Sequence, residues 1–176
     1  MKITNDTYTE LLEYLGGIFD DGSRFVAYLE AYQQGTVSRE DFENACNEIF
    51  TESKSILNGC NSQVINILLH LFKIAFGTDS SLHSGWVRDI VAKHRPPLMD
   101  DLNWDQGPQT SMINKVIAHL PISNARAIHR YKELAKLPEY SDLKDGVSRL
   151  PTECPFTLKQ LLEDDVQVLV SRLRRN

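Results

Sequence analysis

Apolar residues recur along this chain with helical rather than strand spacing. Thr7-Tyr8-Thr9-Glu10 fits a capping box, with Leu11, Leu12 and Leu15 on one face and Gly16-Gly17 as the stop. A second helix is predicted over about 24–34, with Phe25, Tyr28, Leu29 and Tyr32 on its apolar face and Gly35 closing it. Ser38 then caps a third, with Asp41 three residues on. Its Phe42, Ala45, Cys46, Ile49, Phe50, Ile56 and Leu57 follow i, i+3, i+4, i+7 spacing with Ser53 as the polar exception, and Asn58-Gly59 predicts its end.

Asn61 or Ser62 caps a fourth predicted helix that runs to Gly77. Its core, 64–76, is apolar nearly all round, and Asn66, His70 and Lys73 form one narrow polar stripe, the pattern of a helix wrapped by others. A fifth is predicted over 82–94, with Leu82, Trp86, Ile90 and Val91 inward and Pro96-Pro97 as the stop. Helices at about 109–119 and 123–136 follow, separated by Pro121. An irregular stretch over 137–155 leads to two closing helices, 157–162 and 166–173. No strand-like alternation extends beyond a few residues. The expectation is an all-α fold: one domain over 1–176, about eight helices around the apolar 64–76 helix, with an irregular connection at 96–108.

Composition agrees with a folded domain, at 41% hydrophobic and 24% charged residues. The 64–76 stretch is well short of the roughly 20 residues that span a bilayer. The N-terminus has no apolar signal core, so a cytoplasmic protein without a membrane association is expected. The three cysteines, Cys46, Cys60 and Cys154, have neither disulfide-framework nor zinc spacing, which suits free thiols in a reducing compartment.

Charge changes the picture more. The chain's net charge is −5, yet its first 60 residues carry 11 acidic and 4 basic side chains, so the negative excess lies at one end. On the third predicted helix Glu40, Asn44, Glu48 and Glu52 recur every four residues, with Asp41 and Glu43 beside them. Like charges at this spacing repel by a few tenths of a kcal/mol per pair. The helix dipole accounts for Glu40 and Asp41 only, because Glu48 and Glu52 lie too far along. Arg126, Arg130 and Lys136, with Arg172, Arg174 and Arg175 at the end, form weaker basic groups. An acidic chain with Glu133 interrupting the patch is not a nucleic-acid footprint.

Catalytic and cofactor motifs are lacking. His70, His83, His94, His119 and His129 form no HExxH, and neither a P-loop nor a GxGxxG fingerprint occurs. His70 and His83 are the residues a hydrolase would use, but Asp79-Ser80-Ser81 beside His83 reads as a helix N-terminus. Asp100, Asp101 and Asp105 lack the ligand alternation of a calcium loop, and Glu163-Asp164-Asp165 suits the dipole of the helix it precedes. No cofactor and no metal is expected.

One family resemblance is carried by particular segments. Glu153-Cys154-Pro155-Phe156-Thr157-Leu158-Lys159-Gln160-Leu161-Leu162-Glu163-Asp164-Asp165 resembles the C-terminal motif of a bacterial family of helical proteins, domain of unknown function number twenty-nine. Leu68-Leu69-His70-Leu71-Phe72-Lys73 and Trp86-Val87-Arg88-Asp89-Ile90 are similar to its central helix and the helix after it. Phe42-Glu43-Asn44 and Glu48-Ile49 resemble its earlier acidic helix. The resemblance implies a helical fold and no known activity.

The functional expectation is therefore non-enzymatic: a surface that binds a basic protein partner, in its most concrete form an immunity- or antitoxin-like inhibitor of a toxin such as a nuclease. The candidate partner-binding residues are Glu40, Glu43, Glu48, Glu52, Asp100, Asp101, Trp104 and Asp105, with Trp104 as an aromatic anchor. A structural or adaptor subunit, and a hydrolase using His70 or His83, are the competing classes.

Overall fold

The computed structural model describes residues 23–105 and 110–175. The predicted helix at Thr7–Gly17 and the Gly107-Pro108 pair lie outside the described residues. Among those described the fold is all-α, with no strand. Seven α-helices follow in order: α1 (Ser23–Gln33), α2 (Arg39–Phe76), α3 (His83–Asp89), α4 (Arg95–Asp101), α5 (Thr110–Leu134), α6 (Leu158–Glu163) and α7 (Val166–Leu173). 3-10 segments cover Ser80–Leu82 and Pro138–Arg149, and a π-helical turn covers Ile90–His94. Two compact units result, one of 23–58 with the described part of 102–115, the other of 59–101 and 116–175.

In the first unit α1 ends at Gly35, whose positive φ of 71° is the left-handed residue a helix stop requires. The amide of Thr36 then donates to Ala31 O at 2.9 Å. Ser38 caps α2 as predicted, its Oγ accepting from the Asp41 amide at 3.1 Å. Phe25, Phe42, Ala45, Cys46 and Ile49 are buried. Tyr28, Tyr32 and Phe50, expected inward, are exposed instead, although Tyr32 stacks on Phe42 with ring centroids 4.9 Å apart. Ser53 is buried, and its hydroxyl donates to Ile49 O at 2.7 Å, so the polar residue is satisfied by its own helix.

Helix α2 corrects a boundary. Asn58-Gly59 was expected to end one helix and Asn61 or Ser62 to start the next, but the chain stays helical for 38 residues. Cys60, Asn61, Val64 and Ile65 are buried immediately beyond the glycine, and their packing outweighs its helix penalty of about 1 kcal/mol. The apolar 64–76 stretch is buried as expected, forming much of the second unit's core.

The prolines also fail to stop helices where the sequence suggested. The predicted 82–94 helix is instead a 3-10 turn, α3 and a π-helical turn, and Leu82 and Val91 face outward. The Arg95 amide bonds to Ile90 O, a five-residue span, and α4 follows this π-helical turn without a break, so Pro96-Pro97 fall where the helix has just changed pitch. The part of the expected irregular connection up to Asp101 is therefore helical; turns occupy 102–105, with Asn103 at a positive φ of 47°. Pro121 likewise sits inside the continuous α5 rather than between two helices. Much of 137–155, expected to be irregular, is the 3-10 segment Pro138–Arg149.

The closing helices match their predictions. Thr157 and Gln160 form a capping box at α6, and Asp165 caps α7 by accepting from the Gln167 amide. The Arg95 guanidinium donates to Leu161 O and Asp164 O at the end of α6. Val166, Leu169, Val170 and Leu173 put one face of α7 into the core.

Candidate functional site

The predicted partner-binding residues occupy three places. Glu40, Glu43, Glu48 and Glu52 lie on α2 in the first unit, with Asp41 and Asn44 beside them. Helical spacing sets Glu40, Asn44, Glu48 and Glu52 along one stripe, and all four are exposed, opposite the buried row Phe42, Ala45, Cys46 and Ile49. The sequence reading missed one partner. Arg39 Nε donates to Glu43 Oε1 at 2.8 Å, an exposed i, i+4 pair that partly neutralises Glu43. Glu40, Glu48 and Glu52 are the exposed carboxylates of the stripe.

Asp100 and Asp101 end α4 in the second unit, whereas Trp104 and Asp105 occupy the turn of the first. Asp101 Oδ2 accepts a long bond from Cys60 Sγ at 3.9 Å, and partial burial with Asp100 alongside raises its carboxyl pKa. Trp104 is half-buried, so its indole anchors the turn in part rather than standing fully exposed; Asp105 is exposed.

The residues named for a hydrolase lie in a packed cluster of the second unit. Lys73 is 7% exposed, and its ammonium lies 5.5 Å from the Trp86 ring centroid and 5.4 Å from that of Tyr140. Burial lowers its pKa, against the opposing pull of Asp142 and Asp89. His70, half-buried, stacks on the buried His94 at 5.3 Å. Burial first, then Lys73 and His94, push His70 down to about 4. His94 Nδ1 is paired with Gln63 Oε1 at 2.8 Å. His83 packs against Trp86 with the rings tilted by 33°, and burial followed by the charge of Arg174 lowers its pKa. Ser81 bonds to Asp79 rather than to His83, in the helix-start arrangement the sequence suggested.

Burial raises all three thiols, to about 11 for Cys46 and about 12 for Cys60, so they stay protonated at neutral pH. Glu163, Asp164 and Asp165 are engaged in the fold: Glu163 lies 3.7 Å from Lys159, Asp164 3.0 Å from Arg172, and Asp165 is a cap. Among the described residues no group of three or more His, Cys, Asp or Glu side chains is arranged to hold a metal ion. No described helix is long and apolar enough to cross a membrane.

Sequence reasoning also missed the end of α2. Arg174 donates to Ala75 O and Ile74 O, and Arg149 to Phe76 O, so two guanidiniums satisfy carbonyls that a helix C-terminus leaves open. Reading Arg172, Arg174 and Arg175 as one basic group hid this, because the acceptors lie about 100 residues away in sequence.

Of the segments that resembled a known family, 68–73, 86–90 and 153–165 lie in the second unit, and 42–44 and 48–49 lie in the first. Lys73 meets Trp86, and 153–165 supplies the capped α6 and the approach to α7. These features define an all-α protein of a helical domain family. The chain belongs to the family described as domain of unknown function DUF29, which it matches over residues 26–167. No curated protein and no solved structure matches it.

Proposed function

We propose that this chain is a cytoplasmic, non-enzymatic binding protein whose acidic α2 face docks a basic protein partner. The observation that carries the reading is the exposure of Glu40, Glu48 and Glu52 along one helix whose opposite face is buried. Stacking like charges at four-residue spacing weakens the helix, so it needs a reason beyond folding. Opposite charge on a partner removes the repulsion, speeds encounter and rejects wrong partners. The exposed Tyr28 and Tyr32 of the same unit supply aromatic surface of the kind that anchors interfaces. The most concrete form is an immunity- or antitoxin-like inhibitor of a basic toxin such as a nuclease, by analogy with small acidic inhibitors.

The test is co-expression with basic proteins encoded beside this chain in its native host. The reading expects one of them to be toxic alone, to be neutralised by this chain, and to co-purify with it in a salt-sensitive complex. A complex unaffected by raising salt from ~0.05 to ~0.5 M, or a partner of acidic charge, overturns the acidic-face mechanism.

A further inference from the structure

The end of α2 holds two guanidiniums on three successive carbonyls. Arg174 donates to Ile74 O and Ala75 O, and Arg149 donates to Phe76 O at 2.9 Å. Arg149 also lies over the Phe76 ring, 5.4 Å from its centroid. These contacts fix both side chains, yet they leave the Nη1 of each without a protein acceptor among the described residues. Both arginines are exposed, and among the described residues neither forms an ion pair. Arg149 and Arg174 line one cavity of about 710 Å³ in the second unit, within the usual range of small-ligand sites. Phe76, Leu150, Pro151, Pro155 and Leu173 supply its apolar wall, and Glu153 its acidic side chain.

We infer that this cavity binds a small organic carboxylate, one carboxyl group on an apolar body. A guanidinium is a planar donor suited to a carboxylate, and both arginines are already held in place, so binding costs little side-chain freedom. Charge decides between a monoanion and a dianion. Against the two guanidiniums stand Glu153 and the roughly half negative charge of the α2 C-terminus, leaving about half a positive charge. That surplus holds one carboxylate, while a phosphate dianion meets an excess of negative charge. The five apolar residues favour an acid with a hydrocarbon body over a bare ion. The site uses none of the α2 carboxylates of the first unit, so it stands or falls separately from the acidic-face reading.

The probe is hexanoate, titrated into the full-length protein by calorimetry and by NMR of the arginine Nε signals. Hexanol, n-hexylammonium and inorganic phosphate are the comparisons. Hexanoate binds at least ~10-fold more tightly than any of them, because none joins a single negative charge to a hydrocarbon body. It moves the Nε signals of Arg149 and Arg174 and leaves that of Arg39, in the first unit, in place. Arg149→Gln binds hexanoate at least ~10-fold more weakly, measured below the melting temperature of the variant, which gives up the bond to Phe76 O. Glu153→Gln, at an exposed position, keeps both arginines and removes the opposing charge. It binds hexanoate ~3-fold more tightly, a gain that shrinks as salt rises. Equal binding of hexanoate and hexanol overturns the inference, as do phosphate binding as tight as hexanoate binding and unmoved Nε signals at the two arginines. A folded Arg149→Gln chain of unchanged affinity overturns it as well. Where that chain does not fold, Glu153→Gln decides: tighter binding upholds the site, and unchanged or weaker binding overturns it.

Discussion

The guanidinium of Arg174 donates to the main-chain carbonyl of Ala75 at 3.1 Å, and to its neighbour Ile74 at 2.9 Å, tying the last helix of the chain to the end of the longest one. Both acceptor residues are buried, at 4% and 1% exposure, although Arg174 itself is exposed. Arg174→Ala therefore strands two carbonyls and destabilises the fold by about 2 kcal/mol, within the range for hydrogen bonds to charged groups. Arg174→Lys recovers only part of this, because an ammonium lacks the planar fork that reaches two acceptors. Urea denaturation of the three chains gives the order wild type, Lys, Ala.

Gly146 is fixed by the space it lacks. A Cβ there meets the Tyr131 hydroxyl, the Phe76 Cβ at 2.7 Å and the Phe76 carbonyl at 2.9 Å. Tyr131 cannot retreat freely: it is fully buried and its hydroxyl donates to Leu143 O at 3.1 Å. Gly146→Ala is expected to cost about 3 kcal/mol or more, the upper end of overpacking effects. Tyr131→Phe, which removes only the hydroxyl, costs about 1 kcal/mol and relieves part of the clash in the double variant. Thermal melts of the cycle measure that coupling.

Stability falls on acidification through the histidine pair. His70 titrates at about 4 in the fold, against an ordinary value of 6.5, and His94 and His83 are lowered as well. As pH drops below 6.5 the unfolded chain takes up these protons first, so the folded state loses ground until His70 itself is protonated near pH 4. The stability present above pH 6.5 that His70 contributes is about 2 kcal/mol, allowing for its partial exposure to solvent. His70→Phe keeps a ring stacked on His94 and removes one titration. Its unfolding free energy should change less between pH 6.5 and pH 4 than that of the wild type, and parallel curves contradict the assignment.

Local signals in the sequence located much of this fold. Gly35, Ser38, Thr157 with Gln160, and Asp165 mark helix ends because each acts on amides or carbonyls within a few residues of itself. The exposed stripe on α2 was legible for the same reason, since i, i+4 spacing alone sets the four positions along one face. Asn58-Gly59, Pro96-Pro97 and Pro121 misled because their local penalties are outweighed by what packs nearby or absorbed by a change of helical pitch. The Arg174 and Arg149 caps, the Lys73 sandwich and the cavity beside the two arginines join residues far apart in the chain, which periodicity does not connect.

The account rests most heavily on Glu48 and Glu52 acting as a docking face. With a partner recovered from the native host, its affinity for wild type is compared with that for Glu48→Lys/Glu52→Lys and for a control reversal at the exposed Glu139 and Asp145 of the second unit. All three chains should show the same helical content and melting behaviour, because the four side chains are on the surface. The account predicts that the α2 reversal weakens binding at least ~30-fold at low salt, an effect that shrinks as salt rises, while the control leaves affinity within about threefold. Equal affinity for the α2 reversal and the wild type would contradict it.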